Sequence, residues 1–229
     1  MAREIAQNLT QGAYEGLRAD LLACRIPPGS RLKIQDLCTH FAVSLGAIRE
    51  ALSRLTSEGL VISEPQRGFR AAPISLADLQ DLTMVRIEVE SLCLRRAIAT
   101  GSVEWEAQLV AAFHRLSRTP ERAASDPMRA DDEWAEAHAG FHTALVEGGD
   151  SLWLKRLHGQ LYAQSERYRR LSIPLGTMER DVGREHQDIM KAALERNAER
   201  AVKLMTLHLA ATTEILLEAD LDSLAAGED

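Results

Sequence analysis

Two short amphipathic stretches with almost nothing between them set the strongest limit on what this chain becomes. Ile34, Leu37 and Phe41 recur at spacings of three and four, which marks one buried face of a short helix. A second helix starts almost at once. After Ala42-Val43, Ser44 is placed to cap a helix whose inner face is Ile48, Leu52 and Leu55, with Ala51 small enough to admit another helix. Helices joined by so short a turn form a helix-turn-helix. The outer face of the second helix carries Leu45, Gly46, Arg49 and Ser53, so its first turns suit a major groove with Arg49 pointing outward. Downstream, Leu60-Val61-Ile62 and Pro65-Gln66-Arg67-Gly68-Phe69-Arg70 predict a strand, a tight turn and a return strand, a wing with a basic tip. The alternative for Arg49 is a surface ion pair with Glu50 or Glu58.

The run Pro27-Pro28-Gly29-Ser30-Arg31-Leu32, then Phe41-Ala42-Val43-Ser44, Ile48-Arg49-Glu50-Ala51-Leu52, Arg54-Leu55, Glu58-Gly59-Leu60-Val61 and Arg67-Gly68 resembles the GntR family of bacterial transcription regulators. The resemblance implies a homodimer on double-stranded operator DNA of inverted-repeat form, with Arg49 and Gly68 at the contact. Together with the outer helix face, the candidate DNA contacts are Arg31, Ser44, Leu45, Gly46, Arg49, Ser53, Arg67 and Gly68. One departure matters. Most relatives place Arg-Thr-Pro after the turn serine, whereas here the order is Leu45-Gly46-Ala47, so a bidentate base reader is missing and the operator preference of relatives does not transfer.

Charge supports a division of labour. The chain of 229 residues has a net charge of −7, which looks wrong for a DNA-binding protein. Residues 1–72 hold nine Lys+Arg and seven Asp+Glu, a balance of +2, and the remaining 157 residues hold 18 and 27, a balance of −9. The first part tolerates a phosphate backbone and the second repels it. Domains of 1–74 and 75–229 are expected. The three cysteines, Cys24, Cys38 and Cys93, lack metal-type spacing and read as reduced structural residues. There is neither an apolar run of membrane-spanning length nor a secretory signal pattern, so a cytoplasmic protein with no membrane partner is expected.

A helix over residues 8–24 opens the chain, with Tyr14, Leu17, Leu21 and Leu22 as its buried stripe. Beyond Pro73, periodicity predicts helices over about 76–100, 103–118, 129–147, 151–172, 178–196 and 198–218, with no strand between them and a loop from Pro120 to Asp132. The expected architecture is mostly α: an N-terminal winged helix-turn-helix with a small β-hairpin wing, then an all-helical bundle. Histidines fall on the inner stripes of that bundle. Trp134, His138, Phe141, His142, Leu145 and Val146 share one face of the third helix; Met178, Val182, His186, Ile189, Met190 and Ala193 one face of the fifth; Ala201, Met205, His208, Thr212 and Ile215 one face of the sixth. Imidazoles in an apolar interior need partners, and helical bundles build metal sites in this way. A hydrogen-bonded core role is the alternative for each taken singly. His40, His114 and His158 sit at stripe edges and read as surface or capping groups.

Arg86-Ile87-Glu88-Val89-Glu90, Phe141-His142, Glu185-His186 and His208-Leu209 resemble the FCD effector-binding domain of FadR-type GntR regulators. Many members hold a divalent metal with one Asp and three His. At the aspartate position this chain has His138, so the implied ligands are His138, His142, His186 and His208, and four neutral imidazoles favour Zn²⁺ or Ni²⁺. A second departure is Gly149-Asp150 in place of Gly-Asn, with Asp150 able to cap the next helix. Arg86 lies on the buried stripe Leu79, Leu82, Arg86, Val89 and Cys93, and a buried guanidinium requires an anion. That anion is Glu90 one turn on, or a carboxylate effector bound between Arg86 and the metal. The resulting expectation is a transcription regulator, a repressor in the first instance, sensing a small organic acid. A metal sensor and a metal-dependent enzyme are the alternatives.

Overall fold

The computed structural model of the chain describes residues 2–124, 126–175 and 180–219. The chain divides into two compact units, with the division between Ser75 and Leu76. In the first unit, helix α1 (Ala2–Leu22) is followed by strand β1 (Arg31–Leu32), helices α2 (Ile34–Phe41) and α3 (Leu45–Ser57), and strands β2 (Val61–Glu64) and β3 (Gly68–Ala71). The predicted inner faces meet. Ala13, Leu17 and Leu21 of α1 pack with Ile48, Leu52 and Leu55 of α3, and Ile34, Leu37 and Phe41 of α2 lie against the same core. Leu17, Ile48, Leu52 and Leu55 are fully buried, each contributing roughly 1.5–3 kcal/mol by leaving water.

Helix α2 ends at Ala42, whose φ of 51° and ψ of 41° are left-handed, and the backbone N–H groups that follow return to Cys38 and Thr39 carbonyls. Ser44 then caps α3 by accepting from the Ala47 amide at 3.3 Å. The wing forms as expected, with Val61 opposite Ala71 and Glu64 opposite Gly68. Its three-residue loop, residues 65–67, takes a positive φ at Gln66 (63°), and the first residue of β3, Gly68, takes another (93°) that glycine adopts without strain. Strand β1 was not legible in advance. Two residues are too short for alternation to register, yet Arg31 pairs with Arg70 and Leu32 with Phe69, making β3 the centre of a three-stranded sheet.

The second unit comprises helices α4 (Leu76–Thr100) and α5 (Val103–Arg118), strands β4 (Arg122–Ala123) and β5 (Asp126–Ala130), and helices α6 (Asp132–Glu147), α7 (Leu152–Ser172), α8 (Val182–Leu194) and α9 (Ala198–Glu218). Helix α4 lies against α9 and α7, and α5 against α6 and α8. The core of Leu94, Ala97, Leu109, Phe141, Leu145, Ile189 and Met205 sits between them.

Four expectations are corrected. The unit is not all-helical: β4 and β5 form an antiparallel hairpin, Arg122 opposite Ala130, where a loop was expected. Pro127 excludes a helix interior there, and Asp131 starts α6 by accepting from the Glu133 and Trp134 amides at 2.8 and 3.1 Å, three residues later than periodicity alone suggests. Helix α7 is capped by Ser151, which accepts from the Leu154 amide, while Asp150 pairs with Arg96 at 3.1 Å. On α9 the buried stripe ends on Thr213 and Leu216 rather than Thr212 and Ile215, the buried face turning by one position where Leu209 follows His208 into the core. Met178, expected on the α8 stripe, lies outside the described residues.

Candidate functional site

Helix α6 presents His138 and His142 one turn apart, α8 presents His186 and α9 His208, and these imidazoles converge in the core of the second unit. One ring nitrogen from each lies within 4.8 Å of the others. Ring centroids stand 4.5 Å apart for His138 and His142 and 4.6 Å apart for His186 and His208. Trp134 stacks on His138 at 4.7 Å, and Phe141 closes on His186 at 5.1 Å.

Two of the rings are oriented by hydrogen bonds. The Tyr162 hydroxyl is 2.7 Å from His138 Nδ1, and Glu185 Oε2 is 2.7 Å from His208 Nδ1. Both contacts leave the Nε2 atom for another partner. Arg180 in turn fastens Glu185 through two contacts of 2.9 and 2.8 Å and donates to the His208 carbonyl. Burial raises the Glu185 carboxyl, but the His208 and Arg180 hydrogen bonds outweigh it and bring the pKa down to about 2. His142 has neither nitrogen partnered, and His186 Nε2 is buried without a partner. Desolvation, followed by the neighbouring imidazoles and arginines, holds His138, His142 and His186 well below the usual histidine range, and desolvation lowers His208 too. Neutral imidazoles with orphaned nitrogens are what a borderline divalent ion requires. Donors at about 2.1 Å from one ion stand about 3.4 Å apart in a tetrahedron and at most about 4.2 Å apart in any geometry, so separations of up to 4.8 Å must contract by more than half an ångström to seat it. The histidine-rich set fits such an ion.

Arg86 is buried on α4 beside this cluster. Its Nη1 donates to Ser165 Oγ at 2.5 Å and its Nη2 to Glu90 Oε1 at 3.3 Å, and the guanidinium lies 5.0 Å from the Tyr162 ring centre. Glu90 is 1% exposed, with His158 Nε2 also 3.3 Å from Oε1. Burial raises the Glu90 carboxyl, but His158 and Arg86 together leave it lowered. His158 is therefore a buried partner of Glu90, not the surface or capping group expected from its stripe, while His40 and His114 are exposed. Both anion partners considered for Arg86 remain compatible with this geometry, since Glu90 engages one edge of the guanidinium and Nε is buried unpaired.

A small cavity of about 30 Å³, partly open to solvent, is bordered by Arg86, Arg169, His138, His208, Ser165 and Thr212. Tyr162, Ser165 and Arg169 all come from α7, which sequence reading left without a role. Their spacing of three and four residues was the one available signal, and only packing reveals which helix they face.

In the first unit, Leu45, Gly46, Arg49 and Ser53 are exposed along one side of α3, and Arg67 and Gly68 are exposed at the wing tip. Glu58 is engaged by Arg18 at 2.8 Å and by Tyr14, and among the described residues Arg49 has no ion-pair partner. Arg31 donates to the Arg67 carbonyl at 3.1 Å, so it braces the wing. Ser44 is committed to its cap.

The comparisons with known proteins agree in both units. The profile described as "Bacterial regulatory proteins, gntR family" matches residues 9–70, and that described as "FCD domain" matches residues 81–211. The HTH-type transcriptional regulator BphR of Paraburkholderia xenovorans (strain LB400) is 40% identical over 92% of this chain and 86% of its own. The HTH-type transcriptional repressor GlaR of Escherichia coli (strain K12) is 35% identical over 90% and 94%. Among solved structures, E. coli McbR/YncC aligns with a TM-score of 0.75 at 18% identity over 92% of this chain and 98% of its own, a likeness of fold. A transcriptional regulator from Rhodococcus sp. RHA1 aligns with a TM-score of 0.71 at 23% identity over 90% and 97%. Among the described residues, no helix is long and apolar enough to cross a membrane.

Proposed function

Because this chain belongs to the GntR family of bacterial transcription regulators, with a DNA-binding module followed by an FCD domain, we propose that its second unit senses a small organic acid at a histidine-held divalent ion. The DNA-binding regulator is the premise, which sets the metal-dependent enzyme aside. The observation that carries the sensing reading is the convergence of four buried, neutral imidazoles, with both nitrogens of His142 and Nε2 of His186 unpartnered. A site meant only to fill a core would be cheaper with apolar side chains, because each unpaired buried polar atom costs about 1–3 kcal/mol.

His138, His142, His186 and His208 would hold the ion, Zn²⁺ or Ni²⁺ by their chemistry. The ion would supply a Lewis-acidic anchor for a carboxylate. Tyr162 and Glu185 fix the rings of His138 and His208, and Arg86 offers its unpaired Nε to the same anion. Ligand entry therefore competes with Glu90 for Arg86, a device for shifting α4 between two states. Helix α4 begins at Leu76, joined to β3 of the DNA-binding module by residues 72–75, so a change at Arg86 has a short covalent route to the wing. Release of DNA on ligand binding makes the protein a repressor, a role that the name of its relative GlaR supports. A homodimer of the FadR type on an inverted-repeat operator, within the cytoplasm, completes the reading.

Elemental analysis of protein purified without chelator should find about one divalent ion per chain, and chelation should lower the melting temperature, since the ion ties three helices together. In a gel-shift titration, Arg86→Ala should retain metal and operator binding while losing release by carboxylates. Absence of metal, together with an unchanged melting curve for His208→Ala, would leave the histidines as core residues. Release by the ion alone, with no carboxylate present, would make the protein a metal sensor.

A further inference from the structure

The pocket beside the histidines has two guanidinium groups on its wall, and sequence reading supplied only one. Arg86 reaches Ser165 with Nη1 at 2.5 Å, and Arg169 lies one turn beyond Ser165 on the same side of α7. Both arginines border the same cavity. Each is held rigidly and each is incompletely used. Glu166 fixes Arg169 through Nε at 2.8 Å and Nη2 at 2.5 Å, and the guanidinium sits 4.8 Å from the Trp134 ring centre, with Trp134 itself stacked on His138. Nη1 of Arg169 and Nε of Arg86 remain buried without a hydrogen-bond partner.

Charge bookkeeping narrows the ligand further. Glu90 answers Arg86, Glu166 answers Arg169, Asp132 answers Arg170 at 2.7 Å, and Glu185 answers Arg180. Four neutral imidazoles contribute nothing, so the two positive charges of a bound divalent ion have no counterpart in the wall. A monocarboxylate would leave one of them unbalanced in a partly desolvated site, where an unpaired charge is costly. A dicarboxylate balances both and supplies acceptors for both orphaned guanidinium nitrogens.

We propose that the effector is a short dicarboxylate, one carboxylate at the histidine cluster beside Arg86 and the other on Arg169. This rests on the metal reading above. Leu79 and Leu209 border the same pocket together with Thr83, Ser165, Thr212 and Thr213, and the small cavity limits the chain between the carboxylates to a short one. Arg169 is thereby a specificity-determining residue, separating dicarboxylates from monocarboxylates of equal length.

The test is isothermal titration of the full-length, zinc-loaded protein with matched acids: succinate against butyrate, and adipate against hexanoate. In at least one pair the dicarboxylate should bind about tenfold to a hundredfold more tightly, the range of one charge-assisted hydrogen-bonded contact. Arg169→Lys keeps the cation beside Glu166 and removes the planar fork. It should reduce that gap about tenfold, the loss falling mainly on the dicarboxylate. Equal affinities within both pairs, no binding of either dicarboxylate, or a gap untouched by Arg169→Lys would overturn the proposal. Repeating the titrations after EDTA treatment separates the two readings. Metal-dependent binding without discrimination sinks the Arg169 assignment alone, whereas a dicarboxylate preference that survives EDTA sustains Arg169 and removes the ion.

Discussion

Arg49 and Arg67 carry the same charge, but their positions predict different consequences of losing it. Arg49 stands on the exposed side of α3 within its first turns, free of the Glu58 pairing that would have made it a surface ornament. In the proposed docking a side chain placed there would read base edges, so Arg49→Ala is expected to cost about 1–3 kcal/mol of specific binding and leave non-specific binding almost unchanged. Arg67 is at the exposed tip of the wing, where in the proposed docking a cation would meet phosphates. Arg67→Ala should weaken binding to every sequence and reduce the slope of log affinity against log salt by about one. Gel-shift titrations on operator and scrambled DNA at two salt concentrations distinguish the pair. An operator affinity unchanged in Arg49→Ala would mean that another face of α3 enters the groove. Leu45 and Gly46 leave fewer hydrogen-bonding groups at the start of the helix, so the discrimination is expected to fall on Arg49.

The helix-turn-helix depends on a backbone state that its sequence supplies with the wrong residue. Ala42 ends α2 at a left-handed φ of 51°, and a β-carbon there costs about 1–2 kcal/mol relative to the right-handed region. Ala42→Gly is therefore expected to stabilise the protein by about 0.5–1 kcal/mol, part of the relief being offset by the greater freedom of glycine in the unfolded chain. Denaturant unfolding at constant m-value checks this, and a destabilised variant would mean that the Ala42 methyl packs more usefully than its geometry suggests. Element boundaries were legible where a capping side chain precedes a periodic stripe, as at Ser44. They were least legible between α5 and α6, where the hairpin of Arg122–Ala130 is made of pairs that no local pattern announces.

One copy of the DNA-binding module offers a single helix, α3, of 13 residues, and a useful affinity for an operator calls for two such helices related by a two-fold axis. Light scattering should find a dimer at micromolar concentration, and cutting the operator to one half-site should reduce affinity by orders of magnitude; a monomer both free and on DNA would contradict the family arrangement. At this scale the roles of sequence and tertiary structure also separate. Sequence by itself determined the order of helices, the wing, the winged module and its bundle partner, and the histidines that share inner faces, because apolar spacing and turn residues are local quantities. It placed Arg86 and Glu90 one turn apart for the same reason. Only the tertiary structure decided that α7 supplies Tyr162, Ser165 and Arg169 to the wall around those histidines, that His158 is buried against Glu90, and that Arg180 holds Glu185 on His208. Those contacts span 23 or more residues in most cases and depend on which helix faces which, a choice made by the packing of whole surfaces and not by the periodicity of any one of them.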